Sequence, residues 1–237
     1  MIDPQKPNLL LLGAQSSIGR HLLSLNLGEH YNLYSTYSSK SVLDGQNNRE
    51  YSFVLDLEIA KSIESFLQEL QDLRIDVVIF LIGKTSNFSL TTSDDLISNY
   101  LDTYILNYSK LIFGIVEKVA IQNKEKTLFV NVSSRSVLYG SLDPFYAMAK
   151  SAIHSYVKSL NRLYSSSINF HNLVPGLLKN SRMYLDMNPR LRSDHERRSG
   201  GKLMSVEDFA IYLKQFILID HRKHVDEIDI RVGPQYK

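Results

Sequence analysis

"NLLLLGAQSSIGRHLLSLNL" spans residues 8–27. The leucines of 9–12 end on Gly13, after which Ile18, Leu22 and Leu25 recur at helical spacing. A short run that is apolar at every position is a strand covered on both faces, the habit of a parallel sheet. An amphipathic helix follows it directly, so the stretch is the opening of a βα unit.

The alternation continues. "YNLYSTY" (31–37) and "YSFVLDL" (51–57) read as strands, and "EIAKSIESFLQELQDL" (58–73) carries a helical apolar stripe. "DVVIFLIG" (76–83) is a second strand apolar throughout, and "TTSDD" (91–95) caps a long helical region that runs to residue 122. "KTLFVNVSS" (126–134) is a strand, Asp143-Pro144 opens a helix, and "SINFHNLVPG" (167–176) is a strand. "SVEDFAIYLKQFI" (205–217) is a helix with a capping box from Ser205 to Asp208, and "DEIDIRVG" (226–233) is the last strand. This order predicts an α/β fold: a doubly wound, Rossmann-type parallel sheet of about seven strands with helices on both faces. Neither a repeat nor a Pro/Gly linker interrupts residues 1–237, so one domain is expected.

Composition narrows the function. Of 237 residues 43% are hydrophobic and 22% charged, as in ordinary soluble domains, and the net charge of +2 argues against a nucleic-acid partner. No apolar run reaches the ~18 residues that span a bilayer. "MIDPQKPN" lacks the basic and apolar parts of a secretion signal, which leads us to expect the cytoplasm. Zero cysteines exclude disulfides and thiolate chemistry. "HRKH" (221–224) has no acidic or Cys companions at ligand spacing, so no metal is expected.

Doubly wound sheets bind ligands at the carboxyl ends of their strands, and those ends carry suggestive residues. Gly13, Ser16, Ser17, Ile18 and Gly19 form a strand-to-helix turn where small residues and free N–H groups suit a pyrophosphate. Asp56, followed by Leu57, either accepts from an adenine amino group or caps the helix that follows. Gly83 leaves room for a cofactor's backbone. Ser133 and Ser134 end the fifth strand, and Pro175-Gly176 the sixth. Tyr146 and Lys150 share a helix face at i and i+4, where an ammonium favours a phenolate.

Taken together, "LLLLGAQSSIG", "LFVNVSSRS", "YAMAK" and "NLVPG" resemble the short-chain dehydrogenases/reductases, in their small single-domain branch, over nearly the whole chain. The resemblance implies an NAD(P)H-dependent oxidoreductase that moves hydride between nicotinamide and a ketone or secondary alcohol. It implies a catalytic set of Ser134, Tyr146, Lys150 and Asn107. Tyr146 would be the proton donor, Lys150 would lower its pKa and hold the nicotinamide ribose, and Ser134 would bind the carbonyl oxygen. Asn107 would keep a water in line with Lys150. NAD-specific relatives place an acid at the end of the second strand; here "STYSSK" (35–40) has none, and Ser38 and Lys40 can receive a 2′-phosphate, so NADPH is expected over NADH.

The chain departs from the family pattern at several points. Ser17 replaces the second glycine, Leu12 a threonine, and "FLIG" (80–83) the usual Asn-Asn-Ala-Gly. The threonine after Pro-Gly is also absent, with Asn180 or Ser181 as stand-ins. A substrate-covering lid is expected over 177–204, where Lys179, Arg182, Arg190, Arg192, Arg197, Arg198 and Lys202 outnumber Asp186, Asp194 and Glu196. That balance suggests an anionic substrate, such as a keto-sugar or a carrier-linked 3-keto acyl group, held by Arg197 and Arg198. Family members pair through the helices flanking the fifth strand, so a homodimer or homotetramer is expected, with Leu106, Ile112, Phe113, Ile115, Ile153, Val157 and Leu160 available. The alternatives are a non-catalytic dinucleotide-binding homologue and a nucleotide-sugar epimerase or dehydratase.

Overall fold

Along β1 (Asn8–Leu12), Leu9 and Leu11 pack into one hydrophobic cluster and Leu10 and Leu12 into another, all of them fully buried. Strand side chains alternate between faces, so a run apolar throughout requires two covered faces. Each such leucine stabilises the fold by about 1.5–3 kcal/mol. The computed structural model describes residues 2–39, 51–86, 88, 91–123, 125–219 and 229–232. The further strands are β2 (Asn32–Tyr37), β3 (Tyr51–Val54), β4 (Val77–Phe80), β5 (Thr127–Val132), β6 (Ile168–Pro175) and β7 (Asp229–Val232). They form one seven-stranded sheet in the order β3-β2-β1-β4-β5-β6-β7, every neighbouring pair parallel.

The helices are α1 (Ser17–Ser24), α2 (Ala60–Glu69), α3 (Asp94–Leu101), α4 (Tyr108–Gln122), α5 (Ser136–Tyr139), α6 (Pro144–Tyr164), α7 (Arg182–Asp186), α8 (Pro189–Arg198) and α9 (Val206–Leu218). Leu22 of α1 and Val206, Phe209 and Leu213 of α9 cover one face of the sheet. Ile63 and Phe66 of α2, Leu111 and Ile115 of α4, and Ile153 and Val157 of α6 cover the other. The doubly wound reading holds, with the chain starting at β1 and winding outward in both directions. The switch of direction falls between β1 and β4, where a ligand crevice opens.

Capping follows the sequence signals. Asp143 accepts from the Tyr146 N–H at 3.0 Å, with Pro144 in the first turn of α6. The Ser205 hydroxyl accepts from the Asp208 N–H at 2.9 Å, starting α9. The strands are shorter than the apolar runs that announce them. Leu55 and Leu57 remain buried beyond β3, and Leu81 beyond β4, because burial continues where the ladder has already ended at the crevice. The long helical region is interrupted: Asp102–Asn107 is a wider π-helical segment between α3 and α4. Among the described residues no helix is long and apolar enough to cross a membrane.

Of the residues expected at an oligomer interface, Ile112, Ile115, Ile153, Val157 and Leu160 belong to the core. The sheet claims them, which corrects that part of the expectation. Leu106 and Phe113 stay exposed, as do Ile121 and Leu163 nearby in sequence on α4 and α6.

Candidate active site

Each candidate stands at a strand's carboxyl end. After β1 the backbone turns at Gly13, whose φ of +90° is the left-handed region that favours glycine. The Gly13 N–H donates to the Thr36 hydroxyl at 3.1 Å and the Ala14 N–H to the Thr36 carbonyl at 3.2 Å, fixing the turn to β2. Gly19 lets α1 lie against this turn, since a Cβ there would stand 2.5 Å from the Ala14 carbonyl oxygen. Ser16 is the N-cap, accepting from the Gly19 N–H at 3.0 Å, and the first turn of α1 holds no acid. Ile18 packs against the core from the same turn. A cradle with glycine at its tight points, at a helix N-terminus without negative charge, fits a dinucleotide phosphate. Ser17, in place of a glycine, does more than crowd the cradle. Its hydroxyl accepts from the Arg182 N–H at 3.3 Å and ties the first turn of α1 to the start of α7.

At the end of β2, Ser38 is paired with Gln15 of the turn, the two side chains 2.8 Å apart. Lys40 and Asp44 lie outside the described residues, as does the "HRKH" segment. Asp56 is engaged in the turn after β3 and does not cap α2, whose N-cap is Ile59: its carboxylate accepts from the Glu58 N–H at 2.9 Å, and its own N–H donates to Ser62 at 2.9 Å. That bond commits one carboxylate oxygen to the turn. Leu57 is buried, and its carbonyl accepts from the Asn107 side chain at 2.8 Å.

The reactive set sits where β4, β5 and α6 meet. The Ser134 hydroxyl lies beside the Tyr146 phenol, near enough to favour its ionised form. Lys150, one turn along α6, donates from Nζ to the carbonyls of Ile82 at 3.3 Å and Val132 at 3.2 Å. Gly83 makes this possible, because a Cβ there would lie 2.8 Å from that Nζ. Glycine at 83 therefore clears space for the lysine as well as for a ligand. Ser86 bonds Asp143 through both its N–H and its hydroxyl, anchoring the loop after β4 to the start of α6. The Pro175 carbonyl accepts from the Arg135 N–H at 3.0 Å, holding the segment after Ser134 against the end of β6.

Electrostatics here correct the expected role of Lys150. Burial pushes the Tyr146 phenol up; the Ser134 hydroxyl opposes that, and the Asp143 charge adds to it. Burial also pulls Lys150 down to about 8. The two share a helix face, yet the lysine reaches to main-chain carbonyls while the phenol turns to Ser134, so desolvation outweighs attraction. Asn107 is likewise redirected. The π segment ends on it, and its carboxamide nitrogen bonds Leu57 rather than lining the Lys150 cavity.

That cavity holds what sequence reasoning passed over. About 20 Å³ in volume, it is lined by Gly83, Lys150 and Tyr146 together with Tyr100, Tyr104 and Tyr108. The spacing of four between those three tyrosines was the available signal. Tyr100 donates to the Lys84 carbonyl at 2.7 Å, and burial pushes Tyr104 up to about 12, with the charges of Glu58 and Asp56 adding to it.

The segment 177–204, where a lid is expected, is folded rather than loose. Its two ends meet at a bridge between Lys179 and Ser205. Inside it, Tyr184 bonds Glu196, and the Arg192 guanidinium lies 4.9 Å from the Tyr184 ring centre. Arg197 and Arg198 both pair with Asp194, at 2.6 and 2.8 Å. They are engaged within α8, which counts against the anion-holding role expected for them. One stand-in for the missing threonine is engaged too: Ser181 caps α7 through the Tyr184 N–H.

No family model matches the chain, and no curated protein is detectably similar in sequence. Solved structures do match, over nearly the full length. A protein assigned to the short-chain dehydrogenases/reductases from Burkholderia xenovorans gives a TM-score of 0.77 at 17% identity, covering 96% of this chain and 95% of that one. A short-chain dehydrogenase/reductase of the glucose/ribitol dehydrogenase type from Brucella melitensis gives 0.76 at 19%, covering 95% and 94%. A 4-hydroxyisoleucine dehydrogenase complexed with NADH gives 0.82 at 16%, covering 97% and 98%. The fold is that of the short-chain dehydrogenases/reductases, in a strongly diverged sequence.

Proposed function

We propose that this chain is a nicotinamide-dependent oxidoreductase that interconverts a ketone and a secondary alcohol. The observation that carries the proposal is Ser134 beside the buried Tyr146 phenol, with a buried Lys150 one turn along α6, in the crevice that the sheet's switch point opens. Gly13, Ser16, Ile18 and Gly19 would hold the cofactor's phosphates, Gly83 and Lys150 its nicotinamide side. The bound cofactor supplies the hydride.

The chain's own residues supply the proton and its placement. A phenol held protonated by burial is the form that donates to a carbonyl oxygen in the reductive direction. Ser134, on the same phenol, stabilises charge developing on that oxygen. Lys150, near 8, is mostly charged around neutral pH and so holds a proton it can return to Tyr146.

For the cofactor we favour NADPH. Ser38 and Gln15 are paired where β2 and β1 end, the place the family resemblance gives to the ribose 2′ group, and no acid stands among the described residues there. The NADH in the 4-hydroxyisoleucine dehydrogenase belongs to that protein, and a titration of both cofactors decides the matter here. Tighter binding of NADH would overturn the NADPH reading. The basic surplus of 177–204 still favours an anionic substrate, although Arg197 and Arg198 are paired with Asp194. Leu106, Phe113, Ile121 and Leu163 are the apolar surface a homodimer or homotetramer would use, and a monomer by light scattering would refute that.

NADPH oxidation against a panel of neutral ketones, keto-sugars and thioester-linked 3-keto acids, with Tyr146→Phe as control, tests the activity. A second reading, a dinucleotide-binding homologue without turnover, draws on Ser17, whose hydroxyl is engaged with the start of α7 at the cradle. Tight NADPH binding with no oxidation across the panel would favour it.

A further inference from the structure

Directly before Ser134 in the chain lies a second serine, in an arrangement the reaction does not use. Ser133 Oγ stands 2.9 Å from His154 Nδ1, and His154 Nε2 stands 3.2 Å from Asp229 Oδ1. Asp229 also accepts from Lys158 at 2.8 Å and from Asn172 at 3.1 Å. Its carboxyl is penalised by burial, but the bonds from Lys158 and Asn172 and the neighbouring His154 outweigh this and hold it below the usual range. A charged carboxylate facing Nε2 fixes the imidazole with its proton on that nitrogen, leaving Nδ1 to accept from the Ser133 hydroxyl.

A serine, a histidine and an aspartate in line suggest a nucleophile, but the placement opposes that. Ser133 and His154 are both buried, and neither lines the Lys150 cavity. What the arrangement does is mechanical. Ser133 directly precedes Ser134, His154 lies one turn beyond Lys150 on α6, and Asp229 is on β7. Asn131 bonds Asn172 at 2.8 Å, and Asn131, Asn172 and Asp229 are paired neighbours on β5, β6 and β7. A polar row thus crosses the strands beneath α6, tied to that helix by His154 and Lys158, and His154 reaches on to Ser133.

We propose that Ser133, His154 and Asp229 form a buried brace that sets α6 against the end of β5, and so sets the reach between the Ser134 hydroxyl and the Tyr146 phenol. His154 is then a positioning residue for the proton-donating pair. The brace rests on the oxidoreductase reading for its purpose, but its effect on the Ser134–Tyr146 pair can be read in the free protein.

The test uses full-length protein labelled with ¹³Cζ-tyrosine, the Tyr146 signal being assigned by its loss in Tyr146→Phe. A hydrogen bond to the ionised phenol lowers its alkaline midpoint, so Ser134→Ala moves the Tyr146 midpoint to higher pH. His154→Leu, which keeps bulk but breaks both ends of the brace, should move it the same way. Ser133→Ala, which removes one oxygen and leaves the fold intact, should do likewise, and the double variant should go no further than either single one. If Ser134→Ala moves the midpoint while Ser133→Ala and His154→Leu leave it at the wild-type value, the brace is overturned and the proton-donating pair stands. If Ser134→Ala itself changes nothing, the Ser134–Tyr146 bond is absent, and the brace and the reading of the site both fall.

Discussion

A Cβ on residue 83 would stand 2.8 Å from the Nζ of Lys150, so Gly83 and the lysine ammonium compete for one space. The lysine wins because its ammonium is held by the carbonyls of Ile82 and Val132, and glycine yields.

Gly83→Ala should therefore displace the ammonium by a few tenths of an ångström or more while leaving the fold intact. We expect turnover to fall on the order of tenfold, as misplacement of a group in the site does, with a melting temperature close to wild type. Unchanged turnover would show that the ammonium's position does not matter to the reaction.

Tyr146→Phe should lower turnover by about 10²–10⁴, the usual contribution of a positioned proton donor, with NADPH affinity within twofold of wild type. Stopped-flow oxidation together with fluorescence titration of the cofactor separates the two quantities.

Lys150 predicts a pH signature in stability. Its folded pKa, about 8, lies below the ordinary lysine value of 10.5, so between these values the unfolded chain binds more protons and stability rises with pH. The total is on the order of 3 kcal/mol, accumulated across that window. Tyr146 and Tyr108, pushed up by burial, act in the opposite sense above pH 10, where the unfolded phenols ionise first. Denaturant titrations from pH 7 to 10 should show the rise, and Lys150→Met should abolish it. A flat profile in wild type would contradict the burial of the ammonium.

Gly19→Ala should be far more damaging than Gly28→Ala. The added methyl at 19 would meet the backbone of Ala14 at 2.5 Å, whereas nothing lies within 4 Å of the one at 28. Backbone cannot swing aside as a side chain does, so we expect about 1–3 kcal/mol of destabilisation and weaker cofactor binding at 19, and no comparable loss at 28. Thermal melts of the two variants make the comparison.

Within α8, Arg197→Ala and Arg198→Ala should each change stability by less than about 1 kcal/mol, because their partner Asp194 is reached from exposed positions. If either variant instead raised the Michaelis constant for an anionic substrate severalfold, the anion-holding role would be restored.

The sequence by itself determined the layered architecture. The leucines of β1 and the apolar run of β4 could be satisfied only by a sheet covered on both faces, and the Ser205 and Asp143 caps placed two helix starts from local hydrogen bonding alone. Gly13 and Gly19 were legible for the same reason: a tight turn and a close approach are local demands that few residues meet. What Lys150 and Asn107 do was decided by tertiary structure. Long polar side chains have several partners within reach, and which one they take depends on elements distant in sequence, as the carbonyls of Ile82 and Val132 show for Lys150. The same holds for Ser133, His154 and Asp229. They lie on three elements with no sequence motif in common, and only the strand order brings them within hydrogen-bonding distance.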